Sequence, residues 1–184
     1  MTQSGTGLYV GTVENNTLDA DGCIGVSIPA LGGTFAARVA APMAGNDRGM
    51  TFLPEQNDQV LVAAVVGSDV TWAVIGSVWS RNEKAPAAND DGENDTKIIK
   101  TRGGNVIQFS DKDGDESIEI ADKTGKHRIS IQTQAKALTI ESTDGSITLL
   151  AKSIRIEATD GAVNIKATNG DVTINGGPNV RLNP

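Results

Sequence analysis

The sequence predicts an all-β protein in two parts, a small N-terminal barrel followed by a slender β-helix wound from three copies of the chain. Three observations predict it. Over residues 98–174, pairs of apolar residues flanking one polar residue recur every seven to eleven positions. Over residues 8–78, five apolar, β-branched runs alternate with turns rich in Gly and Asp. No stretch sustains the 3.6-residue periodicity of a helix.

The first part reads as five strands, at 8–13, 23–28, 35–39, 59–66 and 72–78. Turn residues stand between them at Asp21-Gly22, Gly32-Gly33, 45–47 and 67–69. Five strands in some eighty residues suit a small closed barrel of the OB type. Residues 1–80 are taken as this barrel. Residues 81–96, Arg-Asn-Glu-Lys-Ala-Pro-Ala-Ala-Asn-Asp-Asp-Gly-Glu-Asn-Asp-Thr, form a polar, acidic linker.

The second part, residues 97–175, is built from dyads: Ile107 and Phe109, Ile118 and Ile120, Ile129 and Ile131, Leu138 and Ile140, Ile147 and Leu149, Ile154 and Ile156, Val163 and Ile165, Val172 and Ile174. Ile99 is a leading member. Spacing of two puts both members on one face of a strand, and β-branching suits the pleat. Asp113-Gly114, Asp144-Gly145, Asp160-Gly161 and Asn169-Gly170 supply turns.

One such strand cannot stand alone. Two buried aliphatics contribute about 1.5–3 kcal/mol each, against about 1–2 kcal/mol of entropy for every residue ordered. A single-chain solenoid needs aliphatics on several faces of each coil. Three chains need one narrow seam each. The expectation is one strand per chain per layer, with hydrogen bonds between chains linking every layer. Eight or nine layers at about 4.8 Å then give a shaft of roughly 40 Å. Phe109 is the only aromatic after Trp79, as a thin axial core requires.

Composition excludes several functions. The net charge is −7, with 4 basic and 12 acidic residues before position 97 and 12 and 11 after it. No basic patch offers itself to nucleic acid and no cationic amphipathic helix to lipid. A lone Cys23 permits no internal disulfide and reads as a small buried thiol. No apolar run is long enough for a membrane helix. The first residues lack the basic and apolar regions of a secretory signal, so synthesis in the cytoplasm is expected, without export by that route.

Residues in the first part carry a resemblance. Ala37-Arg38-Val39-Ala40-Ala41-Pro42, Gly49-Met50-Thr51-Phe52-Leu53-Pro54, Asp58-Gln59-Val60-Leu61-Val62, Gly67-Ser68-Asp69 and Val74-Ile75-Gly76-Ser77-Val78-Trp79 resemble the OB domain of contractile-injection spikes. That group includes phage baseplate assembly protein V, the T-even tail lysozyme spike, type VI secretion VgrG, and the spikes of pyocins and extracellular injection systems. Lys97-Ile98-Ile99-Lys100-Thr101 and Gly104-Asn105-Val106-Ile107-Gln108-Phe109-Ser110-Asp111 resemble the start of the needle in the same proteins. Asn57 and Gln59 depart from the usual Gly and Glu, and Ala64 replaces a common aromatic. Within these 184 residues neither a hub-like domain before the barrel nor a lysozyme domain between barrel and needle is expected.

The resemblance implies a homotrimeric, membrane-puncturing structural protein in a baseplate or virion, without enzymatic activity or cofactor. Three barrels would form a collar on a hub protein, and three intertwined chains a triple-stranded β-helix needle driven through the target envelope. At the tip, residues 176–184, the last layer would expose an apolar triangle of Val172 and Ile174 with Val180 and Leu182. An open end of a β-stack is adhesive, and the resemblance implies a PAAR-repeat cap there. The iron site of some relatives needs a His-x-His pair near the apex, and the only histidine here, His127, lies far from it.

Other chemistry is thin. His127 precedes a strand and is expected to point to solvent. Asp111-x-Asp113-Gly114-Asp115-Glu116 lacks the glycine at loop position six and the glutamate at twelve of a calcium loop, and reads as an acidic hairpin turn. No Ser, His and Asp arrangement or carboxylate cleft suggests itself. The rival reading is an OB module gripping single-stranded nucleic acid or sugar, with a β-solenoid tail. It needs basic and aromatic residues on the barrel, and Arg38 and Arg48 are the only cations in the first 80 residues.

Strands of nearly equal spacing specify register weakly, so the collar is expected to fold first and set it. Residues 97–184 expressed alone are expected to misassemble. Clean trimers of that fragment would remove this role.

Overall fold

The computed structural model describes residues 7–67, 71–177 and 180. The turn expected at 67–69 lies largely outside the described residues, as does Leu182 of the tip.

β1 (Leu8–Asn15), β2 (Cys23–Ile28) and β3 (Gly33–Val39) form a meander joined by hairpins. A two-residue pair, β4 (Ala44–Gly45) and β5 (Arg48–Gly49), stands in the following loop. β6 (Gln59–Ala64) and β7 (Trp72–Ser77) then close the barrel in the order β1-β2-β3-β7-β6 and back to β1. β3 and β7 run parallel, while β1 and β6 are antiparallel. The closure comes from inward residues at alternate positions. Val13, Val26, Ile28, Val60 and Val62 are fully buried, with Ile24, Ala37, Trp72 and Val74 beside them. Tyr9 meets Trp72 edge-on at 5.5 Å and Phe35 lies against it at 5.6 Å. This is the five-stranded barrel expected from the sequence, and no α-helix occurs among the described residues. Among the described residues no helix is long and apolar enough to cross a membrane.

Residues 78–95 carry no strand but are not featureless. Ser80 Oγ accepts from the amides of Asn82 and Glu83, and Asn89 Oδ1 accepts from the Asn94 amide at 2.6 Å. Side-chain caps of this kind satisfy a turning backbone without a ladder.

A second sheet follows, β8 (Thr96–Lys100), β9 (Val106–Ser110), β10 (Ser117–Ala121), β11 (His127–Gln132) and β12 (Ala137–Ser142), paired antiparallel in chain order. Here the structure corrects an expectation. Layers were expected to be linked between chains throughout, yet these five are linked within one chain. The loops explain it. Residues 101–105, 111–116, 122–126 and 133–136 are long enough to turn back, and Gly125 takes φ +70°, where a side chain is rarely accommodated. After Ser142 in-chain pairing stops, although the step from Leu138 to Ile147 is the same as that from Ile129 to Leu138. Thr143 donates its amide to Lys126 O at 3.0 Å, and residues 144–177 join no strand ladder of their own chain.

Candidate interface: the uncovered face of the second sheet

Register places the dyads opposite one another. One row across the sheet is Phe109, Ile118, Ile131 and Leu138, and the next is Ile99, Ile107, Ile120, Ile129 and Ile140. Directly opposed β-branched side chains stabilise an antiparallel pair. The other face carries Gln108, Glu119, Ser130 and Thr139 in register, and Arg128 donates to Glu141 across β11 and β12 at 2.8 Å.

Nothing among the described residues covers the apolar rows. Ile107 is 38% exposed, Ile129 42% and Leu138 66%, whereas the barrel interior is sealed. A contiguous apolar patch of this kind marks an interaction surface. The same condition continues past the sheet, where Ile147, Leu149, Ile154, Ile156, Val163, Ile165, Val172, Ile174 and Val180 are all exposed. Their backbone has neither a covering layer nor a strand partner. The structure thus gathers the first dyads into one face and leaves the later ones extended.

His127 is exposed, as expected, but it is the first residue of β11 and not the one before it, and it has side-chain partners that the sequence did not suggest. It lies opposite Ser142 in the register of β11 and β12, so it shares the face of Ile129 and Ile140. Its Nδ1 is 3.0 Å from Ser142 Oγ and its Nε2 is 3.1 Å from Asp144 Oδ1, so Ser, His and Asp do come together. Lys126 Nζ also holds Asp144, at 2.6 Å. The ring nitrogens are exchanged relative to a hydrolase triad, in which Nε2 serves the serine and Nδ1 the carboxylate. The imidazole and Asp144 are each about half exposed, at 47%, and no enclosed cleft surrounds them. The arrangement pins the β11–β12 hairpin to the segment after it.

Asp122 caps the neighbouring turn. Its Oδ2 accepts from the Thr124 hydroxyl at 2.7 Å and amide at 3.1 Å, and its Oδ1 from the His127 amide at 3.1 Å. The Thr124 hydroxyl first, and the His127 amide next, hold the carboxyl down at about 2. A carboxyl depressed in the folded state stabilises the turn fully above its unfolded value of ~3.9 and loses that contribution as pH falls through the folded value. The Asp122 carboxyl carbon, followed by NMR, is expected to titrate near pH 2. A midpoint near 4 would contradict the capping geometry.

In the acidic hairpin Asp111 pairs with Lys97, and the Asp115 amide donates to Lys112 O at 2.9 Å. Among the described residues no three His, Cys, Asp or Glu side chains converge as metal ligands. Burial, then the Asp19 carboxylate, pushes the Cys23 thiol above its ordinary pKa.

The molecule is therefore a closed five-stranded barrel carrying a sheet with an unburied apolar face. Residues 9–79 match the family model of the type VI secretion system/phage-baseplate injector OB domain. Over that stretch, less than half of the chain, the barrel is similar to the OB domain of baseplate injectors, a structural domain. The curated proteins contain no match to the chain.

Proposed function

We propose that the protein is the trimeric central spike of a contractile injection apparatus, with a collar of three OB barrels docked on a hub and a three-chain needle below it. The observation that carries this reading is the pair of in-register apolar rows left uncovered on β8–β12. Three such sheets, each turning its rows inward, make a three-sided prism with a closed aliphatic core. Residues 144–177, which join no strand ladder of their own chain, continue it by pairing between chains. Val172, Ile174 and Val180, with Leu182 outside the described residues, then present the apolar end that a PAAR-repeat cap would cover.

Function follows from stiffness. In a prism of hydrogen-bonded layers an axial load is shared across the stack, so sheath contraction drives the needle through the target envelope. No cofactor, metal or bond-making step is required. The chain would be incorporated in a phage-tail-like particle.

The test is made in that particle. Particles carrying a copy that lacks residues 97–177 are expected to assemble and contract without releasing cytoplasmic enzymes from target cells. Release at the level of intact particles would overturn the puncturing role.

A further inference from the structure

The barrel itself carries two exposed apolar patches that the prism does not use. One is the outer face of β1, β6 and β7. Register sets Leu8 opposite Ala63 and Val10 opposite Leu61, with Ile75 on the adjoining strand. Leu8 is 62% exposed, Val10 55% and Ile75 47%. No charged side chain belongs to this set. Asp58 and Glu55 lie just beyond it, at the Gln59 end of β6. The outer face of β2 and β3 is instead Ser27, Thr34, Ala36 and Arg38.

The second patch is the β4–β5 hairpin and the segment after it, which with Leu18 frames a groove of about 420 Å³ lined by Met43, Met50 and Phe52. Phe52 is 64% exposed and Met43 53%. The hairpin is fixed in shape: a Cβ on Gly49, at φ +155°, would come within 2.6 Å of Met43 O. It also presents Arg48, which forms no ion pair among the described residues. In the cyclic strand order, β6 lies across the barrel from the β2–β3 edge that leads into this hairpin.

A ring of three identical subunits is closed by a heterologous contact, which needs two different, complementary patches on separate sides of each subunit. The barrel has both, one ending in a cation and the other flanked by carboxylates. Resting on the trimeric reading above, we infer that the β4–β5 hairpin of each barrel packs on the β1–β6–β7 face of the next, with Arg48 against the neighbour's Asp58. The contact makes the collar a closed ring, so the three shafts enter the prism at fixed angles and one height. Uncharged faces are also the means by which barrels of like acidic charge pack together.

The test places a benzophenone amino acid at Phe52 of the full-length chain and irradiates mixed light- and heavy-isotope protein. Inter-chain adducts on residues 8–10, 61–63 or 73–75 are the expected result. Arg48→Glu is expected to lower their yield by about two- to fivefold, as for an exposed ion pair, with Asp58→Arg restoring it. Adducts confined to the photolabel's own chain, or to shaft residues, in a preparation that light scattering shows to be trimeric would overturn the ring contact and leave the spike standing. A monomeric preparation would remove both.

Discussion

The Ile129→Asp variant is expected to be a monomer where the parent chain is a trimer. In one chain Ile129 is 42% exposed and lies between Ile120 and Ile140 in a row on an open sheet face. Were that face truly a solvent surface, the substitution would cost no more than about 0.5 kcal/mol. In the prism three copies of Ile129 converge on the axis. Each replacement forfeits about 1.5–3 kcal/mol of apolar burial, and each aspartate adds a desolvation cost of several kcal/mol. Threefold symmetry multiplies both, so the loss exceeds the stability of an ordinary domain. Light scattering checks the mass. A trimeric Ile129→Asp protein would contradict the inward orientation of the rows.

The second large effect falls on the barrel alone. Trp72→Ala is expected to destabilise it by about 3–5 kcal/mol, as for other buried aromatics, because Trp72 is only 8% exposed and joins Tyr9 and Phe35 to the aliphatic interior. Hydrogen exchange at the Val60 and Val62 amides reads this directly. Exchange in β8–β12 is expected to change little, since those strands hydrogen-bond to one another and not to the barrel wall. One link between the two parts is the exposed ion pair of Arg102 with Glu55 at 3.0 Å. Equal acceleration in both sheets would show that they unfold as one unit.

These two substitutions separate what the sequence made legible from what it did not. The barrel strands were readable because each is long, β-branched and bounded by turn residues. β2 spans 23–28 as expected, and β3 starts two residues early because Gly33 pairs with Ile28. The β4–β5 pair escaped because two-residue strands carry no periodicity. Its site showed only as a turn at 45–47. The dyads were legible as strands for the same reason as the barrel runs, since alternation fixes which residues share a face.

Alternation does not fix the partner of a strand, and the pairing of β8–β12 within one chain was missed on that account. The deciding feature is loop length, together with turns that lack an obvious signal. The loop at 133–136 has no glycine, and Lys136 itself takes φ +50°. That turn sets the register of β11 on β12, and the register brings His127 to Ser142 and on to Asp144. Residues fifteen and seventeen positions apart meet only once that register is known. The in-chain meander also gives β8–β12 a local register of their own, independent of the collar expected to set it.

The most direct test of the whole account is the mass of the purified full-length chain by light scattering. Three times 19.1 kDa is predicted, because the aliphatic rows after Lys97 have no cover in a single copy. A soluble, stable particle of 19.1 kDa with those rows still facing water would contradict it.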